Sequence, residues 1–408
     1  MSINNQLSSS YSQPLNAEKS EKNLGSKRKY LRYNCIFLLS IFIPVVTVGV
    51  FNIVIDPYDV FNTPNFLGIN HSKPRKDNSD RLFKATDIIR IKPVTILIGS
   101  SRTKRALDPN HPALENEQPA YNLALNSINS YEVRRYLEHA IANQKQLGLV
   151  IVGLDFFMFR KSNTNEANFS EQRLEKRHIS LKDLIDVIFS LDVLLASQET
   201  IIDSKKTLPA QLRYGDYNGF IPKLNPDRER IQSRFEKYIN IYHKSYTDQY
   251  KLSTQFLDEL KKIVDLCQEN QIKLVLFISP AHATQWEAIR SSGKWSIFEE
   301  WKRKIVKITP VFDFSGYNSI TTEPIHNQME NYTDNSYYTP KVGNLVLDRI
   351  LSYKEKDVPG DFGILINPEN IESHLVKIRQ DREIWAKNNP DEVNLVKEIK
   401  QKYDALLN

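Results

Sequence analysis

The sequence predicts an α/β fold in which helices cover both faces of a parallel sheet, preceded by one membrane-spanning helix. Short β-branched runs alternate with amphipathic helical patterns through the middle of the chain, an order typical of parallel sheets. A long polar and helical stretch, at about residues 160–252, interrupts this alternation without any strand signal. An uncharged apolar run, Cys35–Ile55, stands near the N-terminus.

The composition is that of an ordinary globular protein. The chain has 408 residues, of which 40% are hydrophobic and 25% charged, enough for one large domain or two modest ones. The net charge of +6 is mild, and Lys and Arg are spread along the chain, which argues against a nucleic-acid surface. Cys35 and Cys267 lie far apart and show no metal-ligand spacing, so we expect no disulfide, metal or cofactor.

The apolar run has the length of a membrane span. At about 1.5 Å per residue it reaches roughly 30 Å, the thickness of a hydrocarbon core. Basic residues precede it and Asp56 follows it, which predicts a cytoplasmic N-terminus and an extracytoplasmic main domain, periplasmic in a bacterium. A buried core helix and a cleaved signal peptide are the alternatives. The run ends without an Ala-x-Ala-like cleavage site, so an uncleaved anchor is favoured. The basic residues are Lys27, Arg28, Lys29 and Arg32.

The chain divides into four predicted parts. They are a disordered cytoplasmic tail at 1–33, the anchor at 34–55, an α/β domain at 56–352 and a helical appendage at 353–408. Residues 56–85 read as a loop-like connector because they are rich in Pro and Gly. The predicted strands are Val94–Ile98, Leu149–Leu154, Lys273–Ile278 and Val311–Asp313. The predicted helices are Ser130–Ala142, Ser253–Glu269, Val342–Leu351, Pro368–Lys387 and Pro390–Leu407.

Polar residues follow the predicted strands, where ligands bind in parallel sheets. Ser100, Ser101 and Arg102 follow the first strand, Asp155 the second and His282 the third. A Gly-Ser-Ser turn either presents a nucleophilic hydroxyl or caps a helix. Asp155 either orients a partner or caps the next turn, and His282 either contacts a ligand or lies at the surface.

The order of these short motifs resembles that of the membrane-anchored SGNH-hydrolase-like proteins. The motifs are Gly-Ser-Ser-Arg at 99–102, Tyr-Asn-Leu-Ala at 121–124, Gly-Leu-Asp-Phe at 153–156, Ser-Pro-Ala-His-Ala at 279–283 and Asp-Asn-Ser-Tyr at 334–337. Relatives in this group O-acetylate alginate or assist the D-alanylation of teichoic acids. The likeness covers residues 56–352.

The resemblance implies a flavodoxin-like three-layer fold and a Ser-His-Asp triad that transfers or hydrolyses acyl groups at the outer face of a membrane. Ser101 then looks like the nucleophile and Asp334 like the triad acid, with Asn122 or the Ala124 N–H near the oxyanion hole. The implied partners are a polysaccharide or lipid-linked glycan, the membrane and a membrane acyl-donor protein, but no nucleic acid. The residues expected to contact substrate are Ser100, Arg102, Asn122, Asp155 and Tyr337.

The sequence departs from the family pattern at Tyr337, which stands where the family has the histidine base. A phenol has an ordinary pKa of about 10 and is a poor base at neutral pH. Three explanations follow. The domain has lost catalysis and kept binding, or His282 or His326 reaches Ser101 instead, or Tyr337 and Tyr338 serve another proton route.

Two functions therefore remain open. The first is an anchored acyltransferase or esterase that acts on a cell-surface or exported polysaccharide. The second is a catalytically inactive relative that serves as a glycan-binding or assembly subunit. For the second, a group of aromatic residues between 286 and 301 either stacks on sugars or packs in the core. The group comprises Trp286, Trp295, Phe298 and Trp301.

Overall fold

The computed structural model describes residues 15–206, 218–221, 231–246 and 250–406, with side chains described from residue 27 onward. It is an α/β structure built on a six-stranded sheet. The predicted strands are confirmed to within one residue at each end. The strands are β1 (Thr95–Ile98), β2 (Ala120–Asn122), β3 (Leu149–Leu154), β4 (Lys273–Ile278), β5 (Val311–Asp313) and β6 (Ile364–Ile366).

The strand order is β2-β1-β3-β4-β5-β6, and all neighbours are parallel except β5 and β6. The order 2-1-3-4-5 is that of flavodoxin-like doubly wound sheets. Ile98 of β1 pairs with Val152 of β3, and Leu154 of β3 pairs with Ile278 of β4. This register brings the segments that follow β1, β3 and β4 to one edge of the sheet.

Helices cover both faces of the sheet. The buried strand residues alternate: Ile96 and Ile98 of β1 face one apolar cluster, while Leu97 faces the other. Helices α2, α4, α9, α11 and α13 pack on the first face, and α3, α8, α12 and α14 on the second. The helices are α1 (Leu15–Ile55), α2 (Asp80–Ile91), α3 (Ser101–Ala106), α4 (Ser130–Asn143), α5 (Glu171–Leu174), α6 (Leu181–Phe189), α7 (Leu191–Ser204), α8 (Ile231–Ser245), α9 (Thr254–Glu269), α10 (Ala283–Ser291), α11 (Trp295–Ile308), α12 (Pro340–Ile350), α13 (Ile371–Asn388) and α14 (Pro390–Ala405).

The N-terminal helix begins earlier than the sequence patterns predict. Residues 15–33, expected to be a disordered tail, belong to α1, and residues 1–14 lie outside the described part of the chain. Leu, Ala, Glu, Lys and Arg, which have high helix propensity, make up most of this segment. Extending a helix from the apolar run costs less than starting a new one. From Lys27 to Ile55, α1 is long and apolar enough to cross a membrane.

Short elements account for the other differences from the sequence prediction. The connector expected to be a loop at 56–85 contains the first turns of α2, which begins at Asp80. The appendage expected to be helical contributes β6, which pairs antiparallel with β5. Both β2 and β6 have three residues, so their local signal is weak, although the equally short β5 was predicted.

The long insertion at 160–252 carries α5 to α8. Its described residues add no strand to the sheet, and Arg160 forms an isolated bridge with Leu252. The helices of the insertion pack against two different parts of the structure. Helices α6 and α7 pack against the end of α1, whereas α8 packs against α10 and α14. The insertion therefore connects the apolar helix to the α/β domain.

The aromatic group at 286–301 lies mostly in the core. Trp286, Phe298 and Trp301 are buried, and Trp295 packs beside them partly exposed. Phe298 stacks between Trp286 and Trp301, with ring centroids 5.2 and 5.6 Å apart. The proposed sugar-stacking role is therefore wrong for the three buried rings, because their faces are already covered by one another.

Candidate active site

Ser101 lies at the carboxyl edge of the sheet, at the start of a short helix. Strand β1 ends at Ile98, and the chain turns through Gly99 so that Ser100 caps α3. The Ser100 hydroxyl accepts a hydrogen bond from the Arg102 N–H at 3.2 Å. Ser101 is the first residue of α3 and is partly exposed, while its two neighbours are buried. The turn thus serves both as a helix cap and as a platform for the Ser101 side chain.

A buried ion pair holds the base of the site. Asp155, which directly follows β3, accepts the guanidinium of Arg102 on Oδ1 and the Ser100 hydroxyl on Oδ2, the latter at 2.5 Å. Arg102 and Asp155 are 2% and 1% exposed. Burial lowers the pKa of Arg102, but the Asp155 carboxylate together with Tyr242 and Tyr246 raises that pKa above its ordinary value. The side chains that follow β1 and β3 are therefore engaged with each other.

Arg102 also joins three further elements to this edge. It donates to Ser336 Oγ at 3.0 Å, to the Tyr242 hydroxyl at 2.7 Å and to Gln285 Oε1 at 2.7 Å. These partners belong to the loop before α12, to α8 and to α10. A guanidinium presents its donors in a rigid fork, so these bonds fix the loop and both helices around Ser101.

Ser101 is hydrogen-bonded to Tyr337, with the two hydroxyl oxygens 2.8 Å apart. Tyr337, which the resemblance places at a histidine position, thus lies beside Ser101, the predicted nucleophile. Burial raises the pKa of Tyr337 above its ordinary value of 10, and the Ser101 hydrogen bond only partly opposes this. At neutral pH the phenol is protonated and is a poor acceptor for the Ser101 proton.

Asp334 organises the loop that presents Tyr337. Its Oδ1 accepts the N–H groups of Ser336 at 3.0 Å and Tyr337 at 2.9 Å, and its Oδ2 lies 3.6 Å from the Arg234 guanidinium. In a triad the corresponding carboxylate orients an imidazole. Here the contacts of Asp334 go to backbone N–H groups and an arginine, which makes it a positioning residue for Tyr337.

His282 does not reach Ser101, in contrast to one of the expectations above. Its Nδ1 bonds Thr284 Oγ1 at 2.9 Å and its Nε2 bonds the Glu323 carbonyl at 2.7 Å. The imidazole caps α10, and burial lowers its pKa to about 4. Both ring nitrogens are therefore committed to local structure, as expected for a helix-capping residue.

His326 does not supply the base either. It is exposed, and its Nδ1 accepts the Gln328 N–H at 3.2 Å within its own turn. The side chains that line the cavity beside Ser101 include no histidine among the described residues.

Asn122 supports α3 instead of forming an oxyanion hole. Its amide donates to the carbonyls of Thr103 at 3.0 Å and Leu107 at 2.8 Å, and its Oδ1 accepts the Ala124 N–H at 3.1 Å. The two predicted oxyanion donors are the Asn122 amide and the Ala124 N–H. Both amide hydrogens of Asn122 and the Ala124 N–H are thus used within the fold. The role predicted for them from the resemblance is wrong.

A cavity of about 360 Å³ opens beside Ser101. Hydroxyl and amide groups line it, together with the rings of Phe157, Tyr238 and Tyr242. Tyr238 packs edge-on against Tyr337, with ring centroids 5.9 Å apart. The other lining residues are Arg102, Ser127, Arg160, Ser162, Asn163, Thr164, Glu166, Ile241, Ser245, Ser336 and Tyr337. Among the described residues no group of three or more His, Cys, Asp or Glu side chains could hold a metal ion.

The structure adds Tyr238, Tyr242, Gln285 and Ser336 to the predicted site. Tyrosines recur every four residues from Tyr238 to Tyr250, the spacing of one face of a helix. This repeat is the signal that could have identified the first two. Nothing in the local sequence places Gln285 beside Arg102, because the contact joins residues 183 positions apart.

Fold and site together define an α/β protein with a serine–tyrosine pair above a buried arginine–aspartate pair. No family model matches this sequence, and no curated protein matches it significantly.

Proposed function

We propose that this chain is a membrane-anchored, extracytoplasmic protein that binds a polysaccharide in the Ser101 cavity without carrying out acyl transfer on it. It would be a catalytically inactive relative of the SGNH-hydrolase-like acyltransferases and esterases. One observation carries the proposal: the Ser101 hydroxyl bonds a protonated tyrosine at the position where that family has its base. A serine hydroxyl without an adjacent base is a weak nucleophile.

The oxyanion side of the site supports the same proposal. Electrostatic stabilisation of a developing oxyanion requires donors that are free to point at it. The Asn122 amide and the Ala124 N–H bond groups within the fold. The base and these two expected donors are thus each replaced or committed elsewhere.

The lining of the cavity favours a polar, uncharged ligand such as a glycan. Hydroxyls and amides satisfy sugar hydroxyl groups, and aromatic rings cover their C–H faces. The cationic guanidinium at its base is neutralised by Asp155. Arg160 and Glu166 contribute one charge of each sign at the lining.

The apolar helix supports the location we propose. Lys27–Ile55 is long and apolar enough to span a bilayer, and basic residues precede its apolar run. We therefore place the N-terminus in the cytoplasm and the α/β domain on the outer side, where exported or lipid-linked glycans emerge.

Labelling with a serine-directed fluorophosphonate tests the loss of catalysis. The native full chain in detergent should not react, and neither should Ser101→Ala. Tyr337→His restores the residue type of the family and should label only weakly, because the Asn122 and Ala124 donors stay bonded within the fold. Labelling of the native chain that disappears in Ser101→Ala would show a working nucleophile and favour the acyltransferase hypothesis.

An array of immobilised bacterial glycans tests the binding function. We expect the native chain to retain at least one glycan, and Tyr238→Ala to weaken that binding by about fivefold, since one aromatic contact is worth roughly 1 kcal/mol. Tyr353→Ala is the matched control, because Tyr353 is an exposed tyrosine outside the cavity. Equal losses in both variants, or no binding by the native chain, would contradict the proposal.

A further inference from the structure

Helices α6 and α7 leave an apolar surface uncovered. The side chains of Leu191, Leu181 and Ile202 are 77%, 71% and 61% exposed. At about 100° per residue, the exposed apolar residues of each helix fall within roughly 80° of arc. Single exposed apolar residues are ordinary, but a continuous surface marks an interaction site. We call this the α6–α7 apolar surface, formed by Leu181, Ile185, Phe189, Leu191, Leu195 and Ile202.

This surface is joined directly to the apolar helix. A Cβ placed on Gly49 would lie 2.7 Å from Phe189 Cε1, so the two helices are in close contact there. The Asn52 amide donates to the Ile188 carbonyl at 2.8 Å and accepts the Ser197 hydroxyl at 2.9 Å. The junction between α6 and α7 is therefore fixed against the last turns of α1.

The position of these contacts along α1 sets their depth in a bilayer. Gly49 and Asn52 precede Ile55, the end of the apolar run, by roughly 9 and 4–5 Å at 1.5 Å per residue. If the run spans the hydrocarbon core, then the side chains packed on Gly49 lie at the level of the lipid acyl chains. Phe189 is one of those side chains, and Leu191 follows it across the junction.

The hydrogen bonds at the junction are those that a low-dielectric environment requires, and the exposed carboxylates of Asp186 and Asp192 beside it must then lie in the headgroup region. Polar groups in hydrocarbon must be satisfied internally. The Ser190 N–H donates to the Asp186 carbonyl at 3.3 Å, and the Ser190 hydroxyl accepts the Val193 N–H at 3.2 Å. The Asn52 side chain is satisfied as described above. The turn thus combines paired polar groups with exposed apolar side chains.

A second apolar element lies at the same end of α1. Phe66 and Leu67 are 54% and 76% exposed. The Asn70 amide ties their loop to the Val54 carbonyl of α1 at 3.2 Å. Exposed basic residues stand on either side of α6 and α7 in the chain, where they can contact lipid phosphates. The flanking residues are Lys176, Arg177, Lys205 and Lys206, and Lys182 lies in the first turn of α6.

We propose that the α6–α7 apolar surface and the loop at 66–69 insert into the outer leaflet of the membrane that α1 crosses. The proposal rests on the anchor in the proposed function and is independent of any chemistry at Ser101. Three points of attachment, namely α1, the α6–α7 apolar surface and the loop at 66–69, fix the orientation of the domain relative to the bilayer. A single helix would leave the domain free to tilt together with α1. The Ser101 cavity is then held at a set angle and distance from the bilayer.

Site-directed fluorescence tests the insertion in the full chain. Cys35→Ala removes the exposed cysteine, while Cys267 is buried and should take up no label. A polarity-sensitive fluorophore is attached at Leu191→Cys and, as controls, at Phe42→Cys in the middle of the span and Lys261→Cys on the exposed face of α9. The labelled proteins are reconstituted in vesicles of phosphatidylcholine and phosphatidylglycerol.

We expect the Leu191 label to emit at shorter wavelength than the Lys261 label. Nitroxide lipids labelled near the top of the acyl chain should quench the Leu191 label severalfold more than the Lys261 label. Aqueous iodide should quench the Leu191 label severalfold less than the Lys261 label. If iodide quenches the Leu191 label as strongly as the Lys261 label while the Phe42 label is shielded, the insertion of the α6–α7 apolar surface is wrong and the membrane anchor is supported. If iodide also quenches the Phe42 label, both the insertion and the membrane anchor are wrong. A Leu191 label shielded from iodide and from nitroxide lipids alike would show a protein partner on this surface, which also overturns the proposal.

Discussion

Two buried ion pairs at the carboxyl edge of the sheet hold different parts of the structure in place. Arg102 with Asp155 fixes the surroundings of Ser101. Lys302 with Asp313, 2.6 Å apart, also holds His374 of α13, whose Nε2 lies 2.8 Å from the same carboxylate. Removing one member of such a pair leaves an uncompensated buried charge, which costs more than the pair itself contributes.

Asp155→Asn tests the cost of leaving the buried Arg102 charge uncompensated. The substitution keeps the volume of the side chain but leaves the buried Arg102 charge without its carboxylate, so we expect the free energy of unfolding to fall by about 3–5 kcal/mol. Urea unfolding followed by tryptophan fluorescence in detergent gives this value. Asp265→Asn is the matched control, since Asp265 pairs with Lys261 at the surface and should cost less than about 1 kcal/mol. Equal effects of the two variants would contradict the role assigned to the Arg102–Asp155 pair.

At the scale of elements, the packing of α12 on α3 holds Ser101 in place. The two helices approach so closely that a Cβ on Gly343 would lie 1.9 Å from the Ala106 carbonyl oxygen. The atom it meets belongs to the backbone and cannot rotate away. Helix α12 follows the loop that carries Tyr337, and α3 begins with Ser101. This contact therefore sets the distance between the two hydroxyls.

Gly343→Ala should consequently destabilise the chain by about 1–3 kcal/mol or more, because it overpacks a backbone contact. It should also separate Ser101 from Tyr337. Gly360→Ala is the control, since nothing lies within 4 Å of the Cβ it would add. Thermal unfolding of both variants checks the prediction. A Gly343→Ala protein as stable as Gly360→Ala would show that the two helices are not in close contact.

At the scale of the whole molecule, a series of hydrogen bonds and ion pairs connects α1 to the helix that carries Ser101. Lys73 donates to the Asp56 carbonyl at 2.6 Å, directly after α1, and Lys76 pairs with Asp59 at 2.6 Å. Asp77 then pairs with Lys104 and Arg105 of α3. The connector is thus a rigid bridge between α1 and the site, and the orientation of one constrains the other.

The stability of the whole molecule should depend on pH through two buried histidines. Burial lowers the pKa of His282 and of His243 to about 4, while an unfolded histidine titrates near 6.5. Below about pH 6.5 the unfolded chain binds the protons first, so stability falls as the pH falls and levels off near pH 4. Each histidine contributes a loss of up to roughly 3 kcal/mol over this window.

Urea unfolding between pH 7 and pH 4 measures this slope. The variant carrying both His282→Gln and His243→Gln should show a flatter dependence, although it is less stable at pH 7. A slope that is unchanged in the double variant would show that other groups control the acid sensitivity.

The sequence by itself determined the layered α/β plan and the apolar helix. Both follow from local patterns: the β-branched runs that became β1, β3, β4 and β5, and an uncharged run of membrane length. The order of the short motifs also predicted that Ser101 and Tyr337 belong to the same site. The strands β2 and β6 were not predicted, because three residues give only a weak local signal; the equally short β5 was predicted.

Only the tertiary structure decided what each polar residue does. Ser100, Arg102 and Asp155 became one network, and Tyr242 and Gln285 joined it from distant segments. His282 and Asn122 proved to be committed to caps and carbonyls, not to Ser101. The side chains that a polar group bonds depend on which elements pack beside it, and those contacts join residues far apart in the chain. Composition and spacing carry no record of such contacts.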